Sequence, residues 1–349
     1  MKRGAVPHEE QRPEARTLEE LADLAGVSRS TVSRVFTGGS VRDETRDRVL
    51  EVARRTRYRP NRAARTLASG RSGVVGIVMH EEPSVLFQDP YFAVLLHGLT
   101  DALSEHAAGM MMWFGNRSKE QTLDQILGVG LIDGVVVTAT NLVDPLVDGL
   151  LASDLPTVLI GHRRNDLSAS YVDIDNVTAA YSLTRHLISL GRRRIGHITG
   201  IRGTAAGEDR LEGYRRAIAR SGLESDEFIF EGDFGGGGGY AGAKTLAERD
   251  VDAIFCANDA TAAGALDALR ELDRRVPEDV ALAGFDDLDF AMHMDPPLTT
   301  VRQGIHQQGV EAARALCQLI EEPDRGPVRI LLPAELVIRQ SSIGDVAAQ

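Results

Sequence analysis

The amino-acid sequence predicts an all-α helix-turn-helix head followed by an α/β core of two parallel-sheet lobes. Residues 17–36 carry two short helical patterns with a glycine between them. From Gly73 onward, short apolar runs alternate with stretches of helical period, which is typical of β-α-β units in parallel sheets. The 349 residues are enough for two or three domains with separate cores.

The first helix of the head can be delimited from single residues. Thr17 followed by Glu20 has the spacing of a capping box, so a helix should begin there. The apolar residues that follow fall on one helical face: Leu18, Leu21, Ala22 and Ala25. Gly26 can adopt the left-handed conformation that ends a helix. We therefore expect a short helix that ends at Gly26.

A second helix should begin after Ser28, whose side chain is suited to cap it. Three apolar residues are spaced to face the first helix: Val32, Val35 and Phe36. Three polar residues remain on the outer surface: Arg29, Ser30 and Arg34. Such a pair presents its second helix to the major groove of DNA, although the spacing alone also fits an ordinary helical hairpin with solvated arginines.

The head should continue with a third helix from Asp43 to Thr56, whose inward face is Val49, Val52 and Ala53. Beyond Pro60, Asn61 can cap a short helix over residues 62–68. Because so short a helix is marginal in water, we expect it to become ordered only on DNA.

Charge is divided unevenly along the chain. Residues 1–71 contain 16 Lys and Arg against 10 Asp and Glu, whereas the whole chain contains 39 against 51. The first 71 residues therefore carry a formal charge of +6, and the remainder carries −18. Because phosphate contacts need local positive charge, this division favours a basic DNA-binding head on an acidic body.

The sequence also predicts the compartment. No apolar run reaches the roughly 18 residues of a membrane span. Residues 1–16 lack the apolar segment of a signal peptide and are predicted to be a disordered polar arm. The chain has two cysteines, Cys256 and Cys317, so no disulfide framework is implied. We expect a cytoplasmic protein in which both cysteines pack inside.

Each short apolar run of the core should form a strand. These runs are residues 73–79, the segment MMMWF, and residues 134–138, 156–160, 193–199, 253–257 and 280–285. Their number predicts two lobes. Ligands in open parallel sheets bind at the carboxyl ends of the strands. The polar and aromatic candidates near such ends are Asp89, Tyr91, His162, Arg210, Phe234, Asn258, Asp286 and Gln303. Hydrogen-bonding side chains interleaved with flat rings are typical of a sugar site.

Structural roles are also possible for these positions. Asn258 and Asp259 could cap the helix that follows them, and Asp175-Asn176 is interpreted as a cap alone. His162 and His197 are expected to satisfy local hydrogen bonds rather than hold a metal, because no ligand-spaced set surrounds them.

The glycine run Gly235 to Gly239 could suggest a nucleotide-binding loop. No suitable buried strand leads into it, and no ribose-binding acid follows it, so that interpretation is rejected. We predict a mobile loop beside the pocket, and its role is left unassigned.

Two consecutive motifs carry a family resemblance: LAGVSRSTVSRV and then ETRDRVLEVARRTRYRPNRAARTLASGR. Through them, the head resembles the DNA-binding head of the lactose/galactose repressor (LacI/GalR) family, and the body resembles that family's periplasmic-binding-protein-like core. The resemblance implies a helix-turn-helix domain at 17–60, a hinge helix and linker at 61–72, an effector-binding and dimerisation domain at 73–341 and a tail at 342–349. The implied N-lobe is about 73–173 and 305–332, and the implied C-lobe is about 174–304 and 333–341.

The resemblance also assigns DNA contacts. Three residues of the second helix would contact bases: Arg29, Ser30 and Arg34. Arginine suits this role because its planar fork can bond guanine bidentately. Four residues would contact the DNA backbone and so position the head on the duplex: Thr17, Thr31, Ser33 and Asn61. Ala64 and Leu67 of the hinge complete the set, with Leu67 where the family inserts a leucine wedge into the minor groove.

We therefore expect a transcription regulator that is most simply a homodimeric repressor of a palindromic operator, controlled by an effector between the lobes. The family places effector contacts at five candidate positions: Arg210, Phe234, Asn258, Asp286 and Gln303. A sugar is favoured over a purine because Thr204 and Ala206 lack the arginine expected for a purine corepressor. No heptad pattern follows the last strand, so a dimer is predicted rather than a tetramer.

Two other classes remain open at this stage. A solute-binding transport component would share the core, but the basic head and the lack of a signal segment argue against it. An α/β enzyme would need a nucleophile elbow, a P-loop or a metal set, and the sequence has none of these motifs. We therefore assign no catalytic residue, metal or cofactor. The sequence does not identify the effector, the operator, the regulated genes or the direction of the response.

Overall fold

The structure is a computed structural model of the chain, which divides into two compact units, residues 1–72 and 73–349. It describes residue 15 and residues 17–37, 39–58, 71–80, 89–114, 118–138, 141–163, 168–223 and 228–343. The predicted hinge helix at 62–68, with Asn61, Ala64 and Leu67, lies outside the described residues.

Within its described residues, the first unit contains three helices: α1 (Leu18–Ala25), α2 (Arg29–Thr37) and α3 (Asp43–Arg55). The predicted capping box is confirmed, since the Thr17 hydroxyl accepts from the Glu20 amide and the Glu20 carboxylate accepts from the Thr17 amide. Gly26 ends α1 in the left-handed conformation, with φ of 63°. The Ser28 hydroxyl accepts from the Thr31 amide at 3.2 Å, so Ser28 caps α2 as predicted.

A small apolar core joins these three helices. Leu21, Val32 and Val49 are fully buried in it. The Phe36 and Tyr58 rings lie beside it with their centroids 5.8 Å apart. The inward faces that the sequence predicts are therefore the faces that pack, and the outward face of α2 stays in solvent.

The second unit alternates strands and helices. Its strands are β1 (Val74–Met79), β2 (Gly109–Phe114), β3 (Gly134–Thr138), β4 (Thr157–Ile160), β5 (Ser170–Ile174), β6 (Ile195–Ile198), β7 (Ile229–Phe230), β8 (Ala253–Cys256), β9 (Ala281–Ala283), β10 (Thr300–Arg302), β11 (Arg329–Leu332) and β12 (Glu335–Val337). Its α-helices are α4 (Pro90–Glu105), α5 (Lys119–Val129), α6 (Pro145–Leu151), α7 (Asn176–Ser189), α8 (Ala205–Arg220), α9 (Gly236–Ala247), α10 (Asp259–Glu271), α11 (Ile305–Glu321) and α12 (Gln340–Ile343).

Two parallel sheets define two lobes. The first lobe has six strands in the order β11-β5-β4-β3-β1-β2, and the second has four in the order β7-β6-β8-β9. Strands β10 and β12 form a separate antiparallel pair. In the first sheet β2 and β3 lie on opposite sides of β1, so the strand order reverses there, and ligands bind at such switch points in open sheets.

Helices cover both faces of each sheet. In the second lobe, Ile254 packs towards α9 and α10, while the next residue, Phe255, packs towards α7 and α8. This alternation is the period of a strand buried on both sides. Cys256 and Cys317 are free thiols buried in the two lobes, which confirms their predicted packing role. None of the helices in the described part of the chain has the length and apolar character needed to cross a lipid bilayer.

The prediction of a mobile loop at Gly235 to Gly239 is wrong. Gly235 is the N-cap of α9, and the four glycines after it form the first turn of that helix. A Cβ at Gly239 would lie 2.0 Å from the Thr261 carbonyl oxygen, and one at Gly264 would lie 1.8 Å from the Gly236 carbonyl oxygen. The glycines therefore allow α9 and α10 to approach at backbone distance.

Candidate functional site

A cavity of about 300 Å³ lies at the carboxyl ends of the strands of both sheets, and we call it the cleft. Its volume is that of a small-molecule site. Its lining residues are Asp89, Tyr91, Phe92, Ile160, Gly161, Asp173, Asn176, Ile201, Thr204, Ala205, Ala206, Arg210, Asp233, Phe234, Asn258, Asp286, Gln303 and Gln308. The strand-end rule applied to the sequence therefore identified the right region of the fold.

The start of α4 supplies one wall of the cleft. The Asp89 carboxylate caps this helix by accepting from the Tyr91 amide at 2.9 Å, and Pro90 occupies the first helical position, where no amide is needed. The Tyr91 and Phe92 rings meet edge to face with centroids 5.3 Å apart. A local cap thus fixes two aromatic rings and one carboxylate at the same edge of the cleft.

Arg210 lies at the centre of the cleft. Its side chain, on α8, donates from Nε to Asn176 Oδ1 at 3.0 Å and from Nη1 to the Ala257 carbonyl at 2.6 Å. Its guanidinium also lies 3.7 Å above the Phe285 ring centroid. Arg210 is almost completely buried, and these three contacts fix its orientation before any ligand binds.

A chain of side-chain amides continues the network from α11. Gln308 Nε2 donates to Gln303 Oε1 at 2.9 Å, and Gln303 Nε2 donates to Asp286 Oδ1. Asp286 Oδ1 lies 3.6 Å from Arg210 Nη1, so the two charges form a loose buried ion pair. Because the Gln303 amide bonds through both its oxygen and its nitrogen, the orientation of that amide is fixed by the network.

On the opposite side of Arg210 the network runs into β5. Asn176 Nδ2 donates to Asp173 Oδ1 at 3.1 Å, and Asp173 Oδ2 accepts from His162 Nδ1 at 2.7 Å. His162 Nε2 lies 3.6 Å from the Asp209 carboxylate. The structure does not place His162 among the lining residues, although the sequence nominates it for effector contact. Gly161 lines the cleft there, and the His162 imidazole instead lies beside Asp173 and Asp209.

Phe234 provides a flat ring on the second lobe. Its backbone has φ of 67°, which is unusual for a bulky residue. A Cβ on Gly200 would lie only 2.0 Å from the Phe234 ring, so the ring rests directly on the Gly200 backbone. The glycine therefore sets how far the ring stands from the lobe.

Asn258 lines the cleft and also caps a helix. Its Oδ1 accepts from the Thr261 amide at 2.8 Å at the start of α10. Asp259 is not a cap: its carboxylate accepts from the Leu288 amide at 2.8 Å and from the Thr300 hydroxyl at 2.6 Å. Burial raises the pKa of Asp259 to about 7. Asn258 can therefore cap α10 and still contact an effector, because capping uses only its side-chain oxygen.

Burial dominates the electrostatics of the cleft. It raises the pKa of Asp286 well above the usual value, and attraction by the Arg210 guanidinium only partly offsets this. Burial also lowers the pKa of Arg210 and raises the pKa of Asp89. Burial thus disfavours the charged form of all three groups, and a further unpaired charge buried in the cleft would be costly.

The sequence missed four polar residues that the structure brings to the cleft: Asp173, Asn176, Asp233 and Gln308. The interpretation of Asn176 as part of a cap alone is wrong, because its side chain bridges Arg210 and Asp173, and Asp175 caps α7. Part of a signal existed, since Asn176 follows the end of β5 at Ile174, although Asp173 lies inside that strand. Gln308 lies within a helix and has no comparable signal.

The outer face of α2 has the exposure that DNA reading needs. Arg29, Ser30 and Arg34 are exposed there. Arg29 Nε pairs with the Glu19 carboxylate at 3.0 Å, and both side chains are mostly in solvent. Such exposed pairs contribute about 0–1 kcal/mol, so phosphate or base contacts can replace them. Two further candidates are also accessible. Thr17, the cap of α1, is exposed, and Ser33 on α2 is partly exposed. Thr31 is also only partly exposed, and its hydroxyl lies 2.8 Å from that of Ser28.

Comparison with known proteins agrees with this architecture. A model of bacterial regulatory proteins of the lacI family matches residues 17–61, and a model of the periplasmic binding protein-like domain matches residues 184–342. The HTH-type transcriptional regulator CelR of Thermobifida fusca is 40% identical over 332 residues, which cover 93% of this chain and 98% of that protein.

Two solved structures extend the comparison. A transcriptional regulator CelR-cellobiose complex has a TM-score of 0.74 and 38% identity, covering 94% of this chain and 100% of that one. The lac repressor dimer bound to operator and the anti-inducer ONPF has a TM-score of 0.82, covering 93% and 98% of the two chains. At 24% identity the latter supports the fold alone. The chain, with its helix-turn-helix head and two-lobed α/β core, belongs to the LacI family of bacterial transcriptional regulators.

Proposed function

We propose that this LacI-family regulator is a cytoplasmic, homodimeric repressor of a palindromic operator, and that a neutral sugar bound in the cleft releases it from DNA. The observation that carries the proposal is the composition of the cleft. Amide, carboxylate and guanidinium groups stand beside the Phe234 and Tyr91 rings, and hydroxyl groups and sugar-ring faces can use both kinds of surface.

The balance of charge favours a neutral ligand over an anionic one. Four of the lining residues are aspartates, namely Asp89, Asp173, Asp233 and Asp286, whereas Arg210 is the basic residue among them. A phosphate or carboxylate would add negative charge to a buried, already acidic surface, where unpaired charge is costly. A sugar phosphate is therefore a weaker candidate than a free sugar.

The ligand of a related protein narrows the choice of candidate sugars further. The CelR structure with 38% identity is a complex with cellobiose, a neutral disaccharide. The cleft volume of about 300 Å³ suits a ligand of this size. Cellobiose is therefore the first sugar to test, and a nucleobase is the contrasting class.

The lobes touch each other at the edge of the cleft, which suggests how ligand binding could be transmitted. The Leu142 amide of the first lobe donates to the Gly203 carbonyl of the second at 2.9 Å, and Asn141 pairs with Thr204 in the same bridge. A ligand contacting both lobes would favour this closed arrangement over an open one. Only such a difference in affinity between two states can shift operator binding.

Thermal unfolding in the presence of candidate ligands tests the proposal. The panel contains cellobiose, other disaccharides, monosaccharides, their phosphates and nucleobases. A ligand that binds only the folded state adds about 2.7 kcal/mol at 100 times its Kd, so a true effector raises the midpoint as its concentration rises. We expect a neutral sugar to do so. A midpoint raised only by a nucleobase or by a sugar phosphate would contradict the proposal.

A further inference from the structure

Three potential metal ligands converge outside the cleft, on the surface where α4 meets α11. His306 Nε2 lies 2.9 Å from Asp101 Oδ2, and His97 Nε2 lies 3.5 Å from the same oxygen. The ligand atoms of all three residues lie within 4.8 Å of one another. The two imidazole rings meet edge to face with centroids 5.0 Å apart. No residue of this cluster lines the cleft.

The helices hold these residues in a fixed relation. His97 and Asp101 are four residues apart on α4, so they share one face of that helix. A Cβ at Gly98 would lie 2.0 Å from the His306 carbonyl oxygen, and one at Gly309 would lie 2.3 Å from the Leu95 carbonyl oxygen. The two glycines thus bring α11 into backbone contact with α4, and this contact places His306 beside the other two ligands.

We propose that His97, Asp101 and His306 bind one divalent transition-metal ion of the zinc class. Two imidazoles and one carboxylate are ligands that zinc accepts, whereas magnesium and calcium prefer oxygen alone. Donor atoms about 2.0–2.2 Å from a tetrahedral zinc ion stand roughly 3.4 Å apart. The separations of 2.9 and 3.5 Å in this cluster therefore need only small side-chain rotations to hold the ion. The three side chains are 42–69% exposed, so water can complete the coordination.

The cluster lies where a bound metal ion would join α4 to α11, close to the cleft. His306 is in the first turn of α11, between the cleft residues Gln303 and Gln308. His97 and Asp101 lie on α4, which begins at the cleft residue Tyr91 and its cap. A bound ion joins two helices whose amino-terminal ends line the cleft, and it stabilises the folded chain by mass action.

Calorimetric titration with zinc chloride tests this inference. It uses the full chain without a histidine tag, freed of metal by chelator, at a pH where imidazole is neutral. The variants are His97→Gln, Asp101→Asn and His306→Gln, and the matched control is His293→Gln, which alters an exposed histidine on another surface. Because all four changes are on the surface, the folded structure should persist, and thermal unfolding without metal checks this.

We expect wild type and His293→Gln to bind one zinc ion per chain and to gain a higher unfolding midpoint from it. Loss of an outer partner of a metal ligand typically weakens binding by about 10–100-fold, so loss of a ligand should cost at least that. Each of the three cluster variants should therefore bind at least about tenfold more weakly. Absence of saturable binding to wild type would overturn the inference, and so would undiminished binding by the three variants.

Discussion

The Arg210 guanidinium lies over the face of the Phe285 ring, with Cζ 3.7 Å from the ring centroid. Stacking occupies one face of the cation and leaves its edges for hydrogen bonds. Nε donates to Asn176 and Nη1 donates to the Ala257 carbonyl, and these two acceptors are on different elements of the fold. The position of the Arg210 guanidinium is thus set by the protein, and a ligand need not order it on binding.

Arg210→Lys should abolish ligand-induced stabilisation while preserving the folded chain. Lysine keeps a positive charge for Asp286, but it cannot stack on Phe285 or donate in two directions. We expect the midpoint shift produced by saturating sugar to disappear in thermal unfolding. Operator binding without ligand should stay close to wild type, because Arg210 belongs to the core unit and not to the head. An undiminished sugar response would exclude Arg210 as an effector contact.

Gly200→Ala should weaken sugar binding by displacing the Phe234 ring. The added methyl would stand 2.0 Å from that ring, so the ring must move into the cleft or away from it. We expect affinity to fall about tenfold, which corresponds to about 1.4 kcal/mol. A double-mutant cycle with Phe234→Ala checks the cause: the effect of Gly200→Ala on stability should vanish when the ring is absent. Additive effects would show that the glycine acts elsewhere.

Gly239→Ala should destabilise the second lobe, and Gly237→Ala serves as its matched control. The first change puts a methyl 2.0 Å from the Thr261 carbonyl oxygen, whereas the second meets nothing within 4 Å. Overpacking typically costs about 1–3 kcal/mol, and replacing an exposed helical glycine by alanine gains up to about 1 kcal/mol. Urea unfolding should therefore separate the two variants. Equal stability would contradict the close approach of α9 and α10.

Stability should fall on acidification partly through His197. Burial lowers the pKa of His197 to about 4, while its Nδ1 lies 2.9 Å from the Phe255 carbonyl. The folded pKa is below the unfolded value of about 6.5, so the unfolded chain binds more protons between pH 6.5 and 4. The contribution of His197 is present above pH 6.5 and is lost, by about 3 kcal/mol, as pH falls towards 4.

The variant His197→Gln isolates this contribution, because glutamine can still donate to Phe255 but does not titrate. Chemical unfolding between pH 7 and 4.5 should show a shallower loss of stability than in wild type. The exposed control His293→Gln should keep the wild-type dependence. Identical slopes in all three proteins would remove His197 as a source of acid sensitivity.

Local chemistry explains which parts of the fold were predictable. The capping box at Thr17 and the left-handed Gly26 act within a few residues, so the limits of α1 follow from the sequence alone. The strand β5 was missed because Ser170, Tyr171 and Asp173 interrupt its apolar pattern. Asp173 lies there because its carboxylate bonds Asn176 and His162, and these are tertiary contacts that the local sequence does not show.

At the glycines of α9, the sequence predicts a loop where the structure has a helix. Five consecutive glycines have poor helix propensity, and their composition suggests a loop. The helix packs closely on α10 because Gly239 has no Cβ to meet the Thr261 carbonyl oxygen and Gly264 has none to meet the Gly236 carbonyl oxygen. Tertiary packing overrides propensity here. In the cleft, the strand-end rule brings Arg210, Phe234 and Asp286 together, but it does not detect Gln308, which lies in the first turn of α11.

Operator binding in the presence of sugar tests the central claim most directly. Operator sequences are first selected from a random DNA pool with the full chain, and affinity is then measured by fluorescence anisotropy at fixed salt. We predict that the sugar that raises the unfolding midpoint also lowers the operator affinity of wild type, and that it leaves the affinity of Arg210→Lys unchanged. An operator affinity that saturating sugar leaves unchanged or increases would contradict the account.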